Sequence, residues 1–220
     1  MTLELKKRIL TSLVLLALLF FMYLYTYILI LSIIIITLIS WIEFYGLISK
    51  IFYKKNFNEK MLLFFCKTIS LTYFFFLTGL ILYIESETPD LKIYIIYSIL
   101  ISIASDIGGI TFGKFFKGKK LTRISPNKTI SGSIGSFIFS FCLIPFFYNY
   151  LNHHGLFNLI ILTTLISFFS QIGDLFISLL KRKAKVKNTS NLLPGHGGFL
   201  DRIDGMILSI PVGFYLFTLL

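Results

Sequence analysis

Runs of Leu, Ile and Phe follow one another along almost the whole chain, separated by short polar segments. A helix needs about 20 predominantly apolar residues to cross the hydrocarbon of a bilayer. The pattern places seven such stretches, at about residues 9–25, 27–47, 62–84, 91–112, 130–150, 156–180 and 202–220. It therefore predicts an all-α, polytopic integral membrane protein with about seven transmembrane helices. The first two stretches are expected to form a hairpin that turns within the cluster Tyr23, Tyr25 and Tyr27, whose amphipathic rings suit a membrane interface. Residues 1–60 read as this N-terminal hairpin with a basic loop, and residues 61–220 as a second transmembrane region, all within one membrane domain.

Composition agrees with the pattern. Hydrophobic residues make up 56% of the 220, too many for a soluble domain, and no stretch is left over for one. The opening "MTLELKKRIL" is basic and leads into a long apolar run with no small-residue cleavage site, so the first helix is expected to be retained rather than removed as a signal peptide. Cys66 and Cys142 stand apart in apolar runs and read as buried thiols, not as a metal or disulfide pair.

Charge then orients the helices. Nineteen of the 21 Lys and Arg fall on one side of the seven-span map: Lys6, Lys7 and Arg8; Lys50, Lys54, Lys55 and Lys60; Lys114, Lys117, Lys119, Lys120, Arg123 and Lys128; and Lys181, Arg182, Lys183, Lys185, Lys187 and Arg202. The opposite loops, "ESETPDLK" and "NYLNHHG", hold a single Lys. Basic residues collect on the cytoplasmic side, so the N-terminus is predicted to be cytoplasmic and the C-terminus outside. The net charge of +11 is then a consequence of topology and does not require nucleic acid, although basic loops also suit anionic lipid or a phosphorylated substrate. His153 and His154 lie in an outer loop and read as an exposed interfacial pair. No internal repeat is visible, so the inverted-repeat signature of many transporters is unsupported.

An acidic side chain at the centre of a spanning helix costs ~2.5–3.5 kcal/mol on insertion scales, so such acids are functional candidates by default. Glu43, Asp106 and Asp174 fall inside the predicted spans. Gln171, Asp174, Ser178 and Lys181 follow a 3-4-3 spacing and form one polar stripe on an apolar helix. The stripe faces either a wet cavity open to the cytoplasm or a hydrogen-bond network between helices. Asp106 lies in "ASDIGGITFGKFFKGKK", where Gly108, Gly109 and Gly113 allow close helix packing or a break in the helix. Glu43, in "WIEFYG", has no polar companion in its surroundings and reads as interfacial or structural. In "RISPNKTISGSIG" Pro126 marks a loop, and Thr129 or Ser131 is placed to cap the next helix. That helix N-terminus, with Arg123 and Lys128, suits phosphate.

The densest polar segment is "NLLPGHGGFLDRIDG", residues 191–205. Asp201 and Asp204 are three apart and share a helix face. Hard oxygen ligands in that arrangement suit Mg²⁺, which is usually held by one or two carboxylates plus substrate phosphates. Asp174 can complete the acidic set from the preceding helix, so the metal candidates are Asp174, Asp201 and Asp204. "KRKAKVK" supplies positive charge for a polyphosphate, and "PGHGG" supplies backbone that can approach a ligand closely. These are the parts for metal-assisted phosphoryl or nucleotidyl transfer.

The stretch "SLLKRKAKVKNTSNLLPGHGGFLDRID", residues 178–204, resembles the signature of the phosphatidate cytidylyltransferases (CDP-diacylglycerol synthases). Ser178, Lys181, Arg182, Lys187, Pro194, His196, Gly197, Gly198, Asp201, Arg202 and Asp204 stand at its positions. "SPNKT" from Ser125 to Thr129, "SDIGG" and "GDL" are also similar to family elements, so the resemblance covers roughly residues 100–210. Three positions depart from it: Asn188 stands where the family has Asp, Ser131 where it often has an acid, and Ile177 where it often has Glu.

The resemblance implies attack by phosphatidate on the α-phosphate of CTP, giving CDP-diacylglycerol and pyrophosphate with Mg²⁺ and room for a second cation. It implies catalytic roles for Asp174, Asp201, Asp204, Lys181 and Arg182. It implies substrate contacts or site-shaping roles for Asp106, Ser125, Lys128, Thr129, Ser178, Lys187, His196, Gly197, Gly198 and Arg202. The expected partners are CTP, phosphatidate and membrane lipid, without nucleic acid; a homodimer through the N-terminal spans is compatible with the sequence and unsupported by it. The expected location is the bacterial inner (cytoplasmic) membrane, with the active site facing the cytoplasm. Other membrane transferases offer competing readings. A CDP-alcohol phosphotransferase would show an Asp-Gly-x-x-Ala-Arg run, which is missing, and a polyprenyl-phosphate transferase would also use intramembrane aspartates. A transporter would place polar residues at both membrane faces, whereas here they gather on one. Asn188 motivates the reading of an inactive homologue.

Overall fold

The computed structural model describes residues 3–52, 56–86, 88, 91–122, 125, 128–151 and 155–219. Lys54, Lys55, Arg123, Pro126, His153 and His154 lie outside the described residues, as do the side chains of Lys6, Lys7 and Arg8. The described residues form nine helices: α1 (Leu3–Leu24), α2 (Thr26–Ile51), α3 (Phe57–Ser86), α4 (Lys92–Phe116), α5 (Ile130–Phe141), α6 (Ile144–Leu151), α7 (Leu156–Lys183), α8 (Leu200–Ile203) and α9 (Met206–Leu219). Among these residues the only β pairing is two isolated bridges, so the chain is all-α.

Among the described residues five helices are long and apolar enough to cross a membrane: α2, α3, α4, α7 and the run Leu200–Leu219 that takes in α8 and α9. The pair α5 and α6, bent by 45° at its break, makes a sixth if counted as one span. The first expected stretch, about 9–25, is matched by the apolar helix Ile9–Leu24, which is shorter than the other five.

The chain divides into two compact units. The first takes residues 1–82 and 180–203, and the second residues 83–179 and 204–220. The signature segment is thus divided, most of it belonging with the N-terminal helices.

In the first unit a single extended residue, Tyr25, separates α1 from α2, where the tyrosine cluster led us to expect a turn. α3 runs antiparallel to α2. Thr37 and Thr78 share a hydrogen bond of 2.6 Å, and the Phe44 and Phe74 rings meet edge to face. Lys67, one of the two basic residues outside the predicted cytoplasmic loops, lies over the ring of Tyr45 at 4.8 Å and near that of Trp41 at 6.0 Å. The ring faces replace part of the water its ammonium loses. Much of α2 and α3 stays exposed on its Leu, Ile and Phe side chains, as expected of helices whose other solvent is lipid.

The second unit is held by small and hydroxyl-bearing residues as much as by its apolar core. That core contains Tyr94, Tyr97, Ile101, Leu162, Ile166 and Phe217, with Tyr94 stacked on Phe217 at 4.6 Å. Beside it Tyr97 pairs with Thr163 at 2.7 Å, Ser102 with Ser170 at 2.8 Å, and Ser136 donates to the Ser105 carbonyl at 2.7 Å. Where lipid tails are as apolar as the side chains, close packing and such hydrogen bonds drive helix association. Cys142, expected to be buried, is exposed at the break between α5 and α6, and Cys66 is half-buried in α3, which turns part of its circumference outward.

α4 passes through Gly108, Gly109 and Gly113 without interruption, so these glycines serve packing and not a break. A Cβ on Gly108 would lie 2.8 Å from both the Gly135 carbonyl carbon and the Phe139 Cβ, and a Cβ on Gly132 would lie 2.7 Å from the Gly109 carbonyl oxygen. The two backbones therefore touch across α4 and α5. Gly135→Ala should lower stability by ~1–3 kcal/mol, because the methyl group would strike the Phe112 side chain and the Gly108 carbonyl. A fall in the thermal unfolding midpoint in detergent, against little change for Ile134→Ala at an exposed neighbour, checks this.

Candidate active site

In the first unit the signature segment leaves α7, loops back and enters α8. The loop closes on itself at Leu193 and Gly197. The Leu193 N–H donates to the Gly197 carbonyl at 2.8 Å, and the N–H groups of His196 and Gly197 donate to the Leu193 carbonyl at 2.9 and 3.1 Å. Gly195 and Gly197 have φ of +78° and +85°, a region costly for residues with a Cβ. Gly198 is needed for a different reason. A Cβ there would collide with the Thr189 hydroxyl and come within 2.5 Å of a Glu43 carboxylate oxygen. The glycines of "PGHGG" thus let backbone lie against the chain's own carboxylates.

Asp201 organises the loop from one side. Its Oδ1 accepts from Lys181 Nζ at 2.7 Å. Its Oδ2 accepts from the Thr189 N–H at 2.9 Å and the Gly198 N–H at 3.1 Å, and lies 3.0 Å from the Thr189 hydroxyl. The side chains of Asp201 and Lys181 are 7% and 16% exposed, so the pair is largely withdrawn from solvent and ties the end of α7 to α8.

Glu43 holds the loop from the other side. It is 5% exposed. Its Oε2 accepts from the Thr189 hydroxyl at 2.9 Å and the Leu200 N–H at 2.8 Å; its Oε1 accepts from the Ser190 hydroxyl at 2.5 Å and the Phe199 N–H at 3.0 Å. The sequence raised Glu43 as a costly acid but showed it no companion, because its partners lie about 150 positions downstream. α1 reaches the same loop. The Thr11 hydroxyl donates to the Pro194 carbonyl at 3.0 Å and lies 2.9 Å from His196 Nδ1. Arg202 Nη2 donates to the His196 carbonyl at 2.6 Å. Arg182 and Lys187 are exposed and enter no ion pair among the described residues.

The second unit brings together another group of the expected residues. Thr129 caps α5 as expected, accepting from the Gly132 N–H at 3.1 Å. The Lys128 N–H donates to the Ser125 carbonyl at 3.1 Å, and Lys128 reaches Asp174 Oδ2 in an ion pair. The Ser178 hydroxyl donates to Asp174 Oδ1 at 3.3 Å, and Ser133 donates to Gln171 Oε1 at 2.5 Å. Gln171, Asp174 and Ser178 of the polar stripe are therefore all engaged. Asp204 is buried and accepts the Gly205 N–H at 2.9 Å. Gly173, next to Asp174, packs on the backbone of Asp204, since a Cβ there would lie 2.5 Å from the Asp204 carbonyl oxygen. Asp106 is exposed on α4.

Among the described residues no group of three or more His, Cys, Asp and Glu side chains is gathered to hold a metal ion. The donor chemistry nevertheless fits Mg²⁺. All the candidate ligands are hard carboxylate oxygens, and Asp174 and Asp201 each already accept a lysine ammonium, a positive charge, on one oxygen.

A model of the cytidylyltransferase family matches residues 2–220. The chain is 38% identical over 136 residues to a phosphatidate cytidylyltransferase of Staphylococcus haemolyticus, an alignment covering 60% of this chain and 51% of the relative. It is 36% identical over 138 residues to that of Bacillus subtilis, covering 57% and 48%, and 39% identical over 137 residues to that of Staphylococcus aureus strain COL, covering 61% and 52%. The matched part of the chain spans about half the length of these curated relatives. With a family model matching from the second residue to the last, the chain belongs to the cytidylyltransferase family.

Proposed function

We propose that the chain is a phosphatidate cytidylyltransferase that transfers CMP from CTP to phosphatidate in phospholipid biosynthesis. The observation that carries this reading is the agreement of the family match with relatives of that name at 36–39% identity. In the reaction a phosphate oxygen of phosphatidate forms a bond to the α-phosphorus of CTP as the bond to pyrophosphate breaks. No covalent intermediate with the protein is needed, so the protein's work is alignment and charge neutralisation.

The residues divide that work. Lys128, Lys181, Arg182, Lys187 and Arg202 contact phosphate oxygens, the exposed Arg182 and Lys187 being unpaired among the described residues. Ser125, Thr129, Ser178, His196, Gly197, Gly198 and Asp106 shape or line the site. Asp174, Asp201 and Asp204 would hold Mg²⁺, which when bound neutralises charge on the nucleotide phosphates. Lys128 and Lys181 would pass from carboxylate to phosphate as substrate arrives, so each aspartate keeps a cationic partner throughout. The basic-residue bias supports a site facing the cytoplasm, and the bacterial origin of the relatives supports the bacterial inner membrane.

Membranes carrying the chain should convert radiolabelled CTP and phosphatidate to CDP-diacylglycerol when Mg²⁺ is present; no product would overturn the reading. Asp174→Asn and Asp204→Asn should each cut turnover on the order of 100-fold or more. A near-normal rate with unchanged Mg²⁺ dependence would remove that residue from the metal set. For topology, a cysteine replacing the exposed Asn191, in a chain with Cys66 and Cys142 changed to Ser, should react with impermeant maleimide only in inverted or permeabilised membranes. Labelling of intact cells would reverse the orientation.

Asn188 gives a sharper test. Its Cγ and Asp201 Oδ2 lie 3.2 and 3.0 Å from the same point, the position of a Cβ on Gly197. Asn188→Asp would therefore set a second carboxylate beside Asp201. Two like charges ~4 Å apart repel by ~4 kcal/mol at an effective dielectric of ~20, and a bound cation relieves this. The variant should need less Mg²⁺ for half-maximal rate, or show a higher kcat/KM for CTP. Unchanged values beside an active wild type would show that the carboxylate is dispensable, and activity in the variant alone would show that the natural chain lacks the activity.

A further inference from the structure

Glu43 is the most costly group in the first unit that the proposed reaction leaves unused. It lies eight residues before the end of α2, is almost fully buried, and has no Lys, Arg or His among its ion-pair partners in the described residues. An uncompensated buried carboxylate is strongly unfavourable, and here four donors meet it: the Thr189 and Ser190 hydroxyls and the Phe199 and Leu200 N–H groups. All four belong to the signature segment. They lie at its two ends, where the loop that carries Asn191 to Gly198 leaves and returns, so one carboxylate closes the base of that loop. Both hydroxyl donors also constrain it further: Thr189 lies against Asp201, and the Ser190 hydroxyl accepts the Leu192 N–H at 3.2 Å. The Thr11 contacts to Pro194 and His196 hold the apex of the same loop.

We propose that Glu43 is a positioning residue for the transfer reaction, clamping the base of the signature loop so that Lys187, His196 and Arg202 are presented in one arrangement. The N-terminal helices α1 and α2 are in this view part of the reaction machinery as well as membrane anchors. Glu43 touches no reacting atom; it acts through the loop. A carboxylate is required because all four partners donate. The amide of Glu43→Gln offers one acceptor oxygen, and its NH₂ group faces two donors, including a backbone N–H that has no other acceptor among the described residues. The kinetic part of this proposal rests on the cytidylyltransferase reading, and the loop geometry stands independently of it.

The test uses the full chain in nanodiscs with Cys66 and Cys142 changed to Ser and a spin label at Leu192→Cys, an exposed position on the loop. Glu43→Gln should narrow the label's spectrum as the loop loosens, and lower kcat on the order of 100-fold, the scale of a misplacement near 1 Å, with a smaller change in KM for phosphatidate. Glu43→Asp, which keeps the charge but shortens the reach by one methylene, should retain more activity than Glu43→Gln. Ser190→Ala removes one of the four donors from the loop side without disturbing α2, and should shift the spectrum and kcat the same way by a smaller amount. It serves as the deciding variant if Glu43→Gln does not fold. A rigid spectrum with wild-type kcat in these variants would overturn the proposal, as would a lower kcat with an unchanged spectrum or a loosened loop with wild-type kcat. If the unsubstituted chain makes no CDP-diacylglycerol, the proposed reaction falls, and the spectrum alone decides whether Glu43 holds the loop.

Discussion

The architecture of the signature loop depends on the cost of burying carboxylates. Glu43 and Asp201 are both withdrawn from water, and between them they take up the backbone and hydroxyl donors of Thr189, Ser190, Gly198, Phe199 and Leu200. A buried ionised group must be hydrogen-bonded or paired, so the loop has little freedom to be elsewhere. The Thr189 hydroxyl lies about equally far from a Glu43 oxygen and an Asp201 oxygen, at 2.9 and 3.0 Å. It has one proton for two acceptors, which couples the two carboxylates through a single side chain. Gly198 is where both converge, leaving no room for a Cβ.

The second unit meets a different constraint by similar means. Helices surrounded by lipid gain nothing by hiding apolar side chains from each other, so contact must come from backbone approach and hydrogen bonds. α4 and α5 supply the approach through Gly108, Gly132 and Gly135, and the bonds come from the hydroxyl pairs Ser102–Ser170 and Tyr97–Thr163 and from the Ser136 hydroxyl on the Ser105 carbonyl. This packing positions chemistry. α5 begins at Thr129, directly after Lys128, so the cap that starts the helix also places the lysine that reaches Asp174. Gly173, beside Asp174, accommodates the backbone of Asp204. Small residues in this unit therefore bring two of the candidate metal ligands into neighbouring positions.

The departures at Asn188, Ser131 and Ile177 acquire different weights in this setting. Ser131 pairs with the capping Thr129 at 3.0 Å and accepts the Gly118 N–H at 3.3 Å, so it has a structural use of its own. Ile177 is buried at 2% exposure, where an apolar side chain is the expected occupant. Asn188 alone packs against the loop glycine that adjoins Asp201, which makes it the departure that bears on the proposed chemistry.

Read alone, the sequence determined the helical, membrane-embedded character of the chain, because spanning lipid leaves long apolar runs that local composition reveals. It also placed a cap for α5 at Thr129 or Ser131, of which Thr129 caps, and a break near Tyr25, since caps and breaks are set by neighbouring residues. It singled out Glu43 as an acid in an expensive place and left it without a partner. The number of spans was less legible, because the apolar part of α1 is short at Ile9–Leu24 and the α5–α6 stretch bends, and a bend is not written in hydropathy. Only the tertiary structure decided that Glu43, Thr11 and the signature loop belong together, that the α4 glycines serve packing and not a break, and that Gln171 and Asp174 of the polar stripe are bonded to Ser133 of α5 and to Lys128. Each of these rests on contacts between residues from 16 to more than 180 positions apart. Such contacts are set by which buried polar groups must satisfy one another after the chain has folded, and no periodicity along the sequence records that.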